Sequence, residues 1–360
     1  MTLLTYNVIK VLAITAICAV AGFVFSPILL RILYQLKFWK KEARSVAITG
    51  EQAPVFNSLH KEREVTVPRG GGVLIFISVV LVMFLVSLAG HLFPIWWLKK
   101  LDFISRHETW LPLFALVTAS LLGFFDDVLV VAGKGKYSGK GLEFWRRIAI
   151  VVLIGLVGGW WFFAKLGWDT VHLPLLGNFP EGINIFLGWL IIPFFVLVTV
   201  ASFAGGIIDG IDGLSGGVLA TIFGSFAIIA FSQGKADLAA FCGAVVGALF
   251  AFLWFNIPPA RFYMGETGSL GLTVTMAVVA FLTDSVLVLP LIAGVMVLEV
   301  STTILQVLSK KIRGKKIWLS TPFHHHLEAK GWPHYQISMR FWLVSIVLAL
   351  LGTAIRLMSK

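Results

Sequence analysis

Residues 11–30 read VLAITAICAVAGFVFSPILL, a run with no charged side chain. A helix rises about 1.5 Å per residue, so roughly 20 apolar residues cross about 30 Å of hydrocarbon. This stretch therefore reads as a membrane span. Further uncharged or nearly uncharged runs follow at about 73–90, 109–125, 148–164, 182–204, 213–234, 238–256, 267–283, 285–307 and 341–357, ten in all. The composition agrees: the 360 residues are 58% hydrophobic and 13% charged. A soluble domain carries roughly 25% charged residues, so a water-soluble enzyme, a disordered chain and a nucleic-acid-binding domain are excluded. The first run starts too far in, and is too long, for a signal peptide. Cys18 and Cys242 both sit in apolar runs, so no disulfide or cysteine-based zinc site is expected. With no internal repeat or linker, residues 1–360 read as a single all-α polytopic membrane domain.

An even number of spans places both termini on one side. Of the 29 Lys and Arg, 20 fall in the odd-numbered loops, from Lys37 to Arg69, Lys134 to Arg147, Arg261, and Lys310 to Arg340. Basic loops stay in the cytoplasm, which puts both termini outside. The same assignment sends every notable polar cluster to the cytoplasmic face.

Those clusters carry the chemistry. Asp126 and Asp127 end the third run in GFFDDVLV, followed by Lys134, Lys136 and Lys140. Two carboxylates at a helix C-terminus oppose the macrodipole, so their placement calls for a functional reason. The lysines are near enough to hold phosphate oxygens as mobile point charges. Asp209 and Asp212 lie in GGIIDGIDGLSGG, where glycines let a backbone approach a ligand. Glu266 lies in NIPPARFYMGETGSL, and His324, His325 and His326 lie in STPFHHHLEAKGW. The histidines could bind zinc, handle phosphate, or form a solvated loop; consecutive ligands depart from the usual metal spacing of about three to five. Arg69-Gly70-Gly71-Gly72 could cradle a phosphate or merely open the second span. Carboxylates beside phosphate are the usual Mg²⁺ environment. Together the clusters suggest magnesium-assisted phosphoryl transfer to a lipid at the membrane surface.

This ordered series resembles the polyprenyl-phosphate N-acetylhexosamine-1-phosphate transferases over nearly the whole chain. GFFDD, DGIDGL, LWFN and MGETGSL match motifs shared across that family. EVSTTILQVLSKKIRGKKIW, PFHHHLEAKGW and MRFW resemble its muramoyl branch. The resemblance implies ten helices with both termini outside, in the bacterial cytoplasmic membrane, and homodimers in some members. It implies attack of undecaprenyl phosphate on the β-phosphate of UDP-N-acetylmuramoyl-pentapeptide, giving lipid I and UMP. It also implies roles. Asp126 would take or hold the lipid proton, and Asp127 would assist near the metal. Asp209 and Asp212 would line the uridine and diphosphate site, and Asn256 and Gln306 would contact the nucleotide. Glu266 would bind Mg²⁺ where the family has aspartate, and His324, His325 and His326 would handle diphosphate and sugar. Gly206 and Phe203 stand where the family has asparagines.

Two other readings remain at this stage. Pro68-Arg69-Gly70-Gly71 is closer to the N-acetylglucosamine-type branch. An ion-coupled transporter would also carry intramembrane acids, but with repeats and midplane charges.

Overall fold

The computed structural model describes residues 2–41, 62–93, 95–104, 109–133 and 141–359. Lys134, Lys136 and Lys140 lie outside the described residues. The elements run α1 (Leu3–Gln35), α2 (Gly72–Leu92), a short α3 (Trp96–Leu101), α4 (Trp110–Val131) and α5 (Phe144–Ala164). A hairpin of β1 (Thr170–Asn178) and β2 (Gly182–Phe186) follows, then α6 (Ile191–Ala204), α7 (Leu214–Ser232), α8 (Ala236–Asn256) and α9 (Gly265–Leu282). The chain closes with α10 (Leu289–Ile292), α11 (Gly294–Arg313), α12 (Phe323–Ala329) and α13 (His334–Met358). Among the described residues nine helices are long and apolar enough to cross a membrane. The all-α polytopic expectation holds.

Three boundaries differ from the hydropathy reading. Residues 182–186 are strand, paired antiparallel with Val171 opposite Ile185, so the fifth helix starts later than expected. Alternating Ile183 and Ile185 suit a strand, and Gly182 at φ +83° turns the chain into it. The third helix continues to Val131, so Asp126 and Asp127 lie inside it instead of ending it. The run at 285–307 is not one apolar span. It is divided between α10 and α11, broken at Ala293. From Glu299 onward the buried stripe of α11 is polar, with Glu299, Thr302, Gln306 and Ser309, while Ile304, Leu305, Leu308 and Ile312 face outward; before it Val295 and Met296 are buried. A helix with a polar inner face and an apolar outer one suits a cavity wall inside a membrane protein.

The centre of the bundle is α9, nearly all of it buried, with α2, α4, α6 and α7 packed around it. Its small residues permit this. A Cβ on Gly123 of α4 would come within 2.1 Å of the Glu266 carbonyl oxygen. Thr273 and Thr275 donate their hydroxyls to the carbonyls of Ser269 and Gly271, each at 2.7 Å, so neither leaves a polar group unsatisfied in the core. At the far end Gln233 donates to the Thr283 carbonyl at 2.7 Å, and Arg356 to the Asp284 carbonyl at 3.0 Å. Lys10 reaches Asp237 there at 2.6 Å. The beginning of α1 and the end of α13 therefore both lie away from the α9 N-terminus.

Candidate active site

The first turn of α9 organises the site. The opening N–H groups of a helix lack partners and carry the positive end of its dipole. Here carboxylates from two other segments supply them. Asp209 Oδ2 accepts from the Gly265 N–H at 3.2 Å. Asp127 Oδ1 accepts from the Glu266 N–H at 3.1 Å. Asp127 Oδ2 accepts from the Thr267 N–H at 2.9 Å and its hydroxyl at 2.7 Å. Arg69 Nε adds a contact of 3.3 Å to Oδ1. Gly265 sits at φ +72°, and a Cβ there would be 2.5 Å from Asp127 Oδ2, so glycine is required for this approach. The expectation that the aspartate pair opposes a helix dipole is thus corrected. Asp127 belongs to the α9 N-terminus, where an anion is favoured.

Its neighbour points elsewhere. Asp126 Oδ1 accepts from the Leu142 N–H at 2.6 Å, and Oδ2 lies 2.8 Å from Arg147 Nη2. The other arm of Arg147 donates to Glu266 Oε1 at 2.6 Å. One guanidinium therefore bridges two acids from different helices, beside a small pocket walled by Gly123, Leu142 and Leu270. Arg147 Nε is buried without a hydrogen-bond partner. Asp209 Oδ1 accepts from Ser215 Oγ at 2.9 Å, and burial pushes this carboxyl up to about 6 against the lowering pull of that bond and of Arg69.

Several expected substrate contacts are turned inward. Asp212 is buried, paired with Arg63, and accepts from the Ala260 N–H at 3.0 Å. Asn256 accepts from the Gly213 N–H at 3.0 Å and donates to the Phe262 carbonyl at 2.9 Å. Asp212 and Asn256 together fasten the DGIDGL turn to the 257–264 segment. Gln306 donates to the Trp318 carbonyl at 2.9 Å and accepts from the Ile317 and Trp318 N–H groups, which folds the 314–320 loop against α11. The amide N–H groups of Gly71 and Gly72 donate to the Tyr263 and Met264 carbonyls at 2.8 and 2.9 Å. The glycine run thus opens α2 and braces the same segment, with neither of those donors free for a phosphate.

The three histidines lie on a helix, α12, whose successive side chains diverge by roughly 100°. His324 Nδ1 is 3.1 Å from Glu299 Oε2, both side chains fully buried. His325 Nδ1 is 2.9 Å from Glu328 Oε2. His326 turns away to accept from the Leu319 N–H at 3.2 Å, and burial and the Lys330 charge hold its imidazole below the usual range. Three rings with three partners do not converge on one ion. A Cβ on Gly210 would lie 2.2 Å from His324 Nε2 and 3.1 Å from His325 Nε2, so both rings face the DGIDGL turn.

The model of glycosyl transferase family 4 matches residues 109–284. A phospho-N-acetylmuramoyl-pentapeptide-transferase of Geobacillus sp. (strain WCH70) is 34% identical over 91% of this chain and 92% of its own length. That of Anoxybacillus flavithermus is 33% identical over 95% and 97%, and that of Pelagibacter ubique 34% over 70% and 73%. The chain belongs to the phospho-N-acetylmuramoyl-pentapeptide-transferase family.

Within this family member, the residues that sequence reasoning missed are Arg147, Arg63, Glu299 and His334. Glu328 is shared between His325 and His334, the latter at 2.5 Å. The signal for Arg147 was present. Arg146 and Arg147 open α5, where cations oppose the dipole, and the same argument was applied to the aspartates.

Proposed function

We propose that this chain transfers phospho-N-acetylmuramoyl-pentapeptide from its UDP carrier to undecaprenyl phosphate, forming lipid I and UMP. The observation that carries the reading is the meeting of Asp126, Arg147, Glu266 and Asp209 around one buried helix start, with His324 against Gly210, the residue after Asp209. The names of the relatives support the substrates. A phosphate oxygen of the lipid attacks the β-phosphorus, the bridging bond to the α-phosphate breaks, and UMP leaves with the electron pair. Asp126 takes the proton of the incoming lipid phosphate. Arg147 Nε, a buried donor, and His324 Nε2, a buried ring nitrogen, both lack hydrogen-bond partners in the structure and meet the diphosphate group. Asp209 orients the diphosphate through the DGIDGL turn, while Asp127, Asp212, Asn256 and Gln306 act as positioning residues.

Among the described residues no three Asp, Glu, His or Cys side chains form a closed metal cage. Mg²⁺ usually takes one or two carboxylates and completes its shell with phosphate oxygens and water. Glu266 and Asp209, both hard oxygen donors at the α9 N-terminus, fit an ion that arrives with a diphosphate. An Mg²⁺ held by these two residues would offset the charge gathering on the transferred phosphate. The excess of basic residues in alternate loops supports an orientation with this end of the bundle on the cytoplasmic side of a bacterial inner membrane and both chain ends outside.

The test is UMP release by purified protein with undecaprenyl phosphate and Mg²⁺, offered UDP-N-acetylmuramoyl-pentapeptide and UDP-N-acetylglucosamine in parallel. Release with the muramoyl substrate, abolished by EDTA, is expected. Release with the glucosamine substrate alone moves the chain to that branch, and release with neither overturns the reading.

A further inference from the structure

The arginines at the site end of the bundle differ in their partners, and five of them show the contrast. Arg63, Arg69 and Arg147 are each bound to carboxylates: Asp212, Asp127, and the Asp126–Glu266 pair. Arg31 and Arg261 are exposed and have no carboxylate partner among the described residues. Both open into one groove of roughly 280 Å³ whose other walls are Pro27, Leu30, Tyr34 and Phe255. Arg31 projects from the last third of α1, and Arg261 from the segment after α8, its guanidinium 5.7 Å from the Phe255 ring centroid. The Tyr34 hydroxyl donates to the Arg261 carbonyl at 3.2 Å, which ties the two walls together.

The groove lies near the ends of two membrane-length helices, α1 and α8, where a bilayer would give way to water. Below it Ile28 and Trp254 expose apolar surface to the outside of the bundle, at 54% and 67%. An arginine at this depth extends its head toward the lipid headgroups and keeps its stem in hydrocarbon. Two guanidiniums without an internal anion, above an apolar wall, call for a ligand with a negative head and an apolar tail. A guanidinium fork matches phosphate oxygens in a bidentate way.

We propose that this groove binds the phosphate of an anionic glycerophospholipid, with an acyl chain lying along the α1–α8 surface. It is separate from the reacting centre. Asp126 and Arg147 stand on α4 and α5, whereas the groove lies between α1 and α8. The two are linked by the 257–264 segment, whose Tyr263 and Met264 carbonyls hold Gly71 and Gly72 and which leads directly into Gly265 and Glu266. A bound lipid steadies the outer side of that segment.

Native mass spectrometry of the detergent-purified full chain tests this, titrating phosphatidylglycerol, phosphatidylcholine, undecaprenyl phosphate and inorganic phosphate in separate arms. The wild type is expected to retain phosphatidylglycerol in preference to phosphatidylcholine and to show no retention of inorganic phosphate. Two basic contacts near a membrane surface predict roughly 30-fold weaker phosphatidylglycerol binding in the Arg31→Gln/Arg261→Gln double variant. Arg31→Lys/Arg261→Lys keeps the charge and is expected to keep most of the binding, with the same thermal midpoint as the wild type. Unchanged phosphatidylglycerol binding in the glutamine variant overturns the proposal. So does equal retention of phosphatidylcholine, or displacement of phosphatidylglycerol from the groove by undecaprenyl phosphate. These readouts do not depend on turnover, so failure here is distinct from failure of the transferase reading.

Discussion

At the end of the bundle remote from Glu266, cations grip the carbonyls that finish helices and loops. At the near end, arginines and carboxylates grip one another. Lys10 holds the Asp102 carbonyl at 2.6 Å, Lys235 the Leu282 carbonyl at 2.6 Å, and Arg356 the Asp284 carbonyl at 3.0 Å. Cations are favoured at helix C-termini, so these charges have a structural purpose. At the near end Arg147 joins Asp126 to Glu266, and the ionisable side chains of Arg147, His324 and Glu299 have buried polar atoms without hydrogen-bond partners, whereas elsewhere such atoms are scattered singly, as on Tyr6, His172 and Thr353. Leaving such atoms unpaired in a protein interior costs about 1–3 kcal/mol each. That cost is recovered when a polar ligand enters. The contrast separates charge that builds the fold from charge held ready for substrate.

Mutations at the two ends sharpen this contrast. The largest effect is expected for Asp209→Asn, which removes a carboxylate at the reacting end. Turnover falls by roughly 10²–10⁴-fold, read as UMP release. The thermal midpoint falls less than in Asp127→Asn, because Asp209 accepts from one N–H of the α9 start where Asp127 accepts from two and a hydroxyl. Next is Glu266→Asp. Shortening the side chain by about 1.5 Å withdraws it from Arg147, and a misplacement of that size costs about 10²-fold in rate. Restored or raised Mg²⁺-dependent turnover would show instead that the family's shorter acid suits this pocket. Asp127→Asn lowers stability as well as rate. It points an amide at donors that need an acceptor, and the lost cap costs about 1–2 kcal/mol, measured as the denaturation midpoint in detergent. The smallest effect on activity belongs to Lys10→Met at the far end. It leaves Asp237 without its cation and lowers stability by about 1–3 kcal/mol, yet kcat stays within about twofold. A comparable loss of rate in Lys10→Met would break the division between the ends.

Much of this architecture was legible in the sequence, because membrane spans depend on long uncharged runs. Where the reading failed, the residues obeyed a different rule. Residues 182–186 alternate as a strand does, and hydropathy averaging hides that. From Glu299 onward in α11 the apolar residues face outward and the polar ones inward, so Glu299 and Gln306 interrupt a run that still forms one wall of the site. The carboxylate clusters were recognised, but their division of labour was not. Asp126 and Asp127 are adjacent, and only three-dimensional packing reveals that one caps α9 while the other meets Arg147. Asn256 and Gln306 look like polar ligand contacts in sequence, yet their amides fasten backbone segments to one another.

Single-turnover UMP release by Asp126→Asn, set beside its thermal midpoint, tests the central claim most directly. The aspartate at the Arg147 bridge is assigned to chemistry and its neighbour to architecture. UMP release below about a hundredth of the wild-type rate is therefore predicted, with an unchanged midpoint. Release above about a tenth of wild type, or a loss of stability like that of Asp127→Asn, would contradict it.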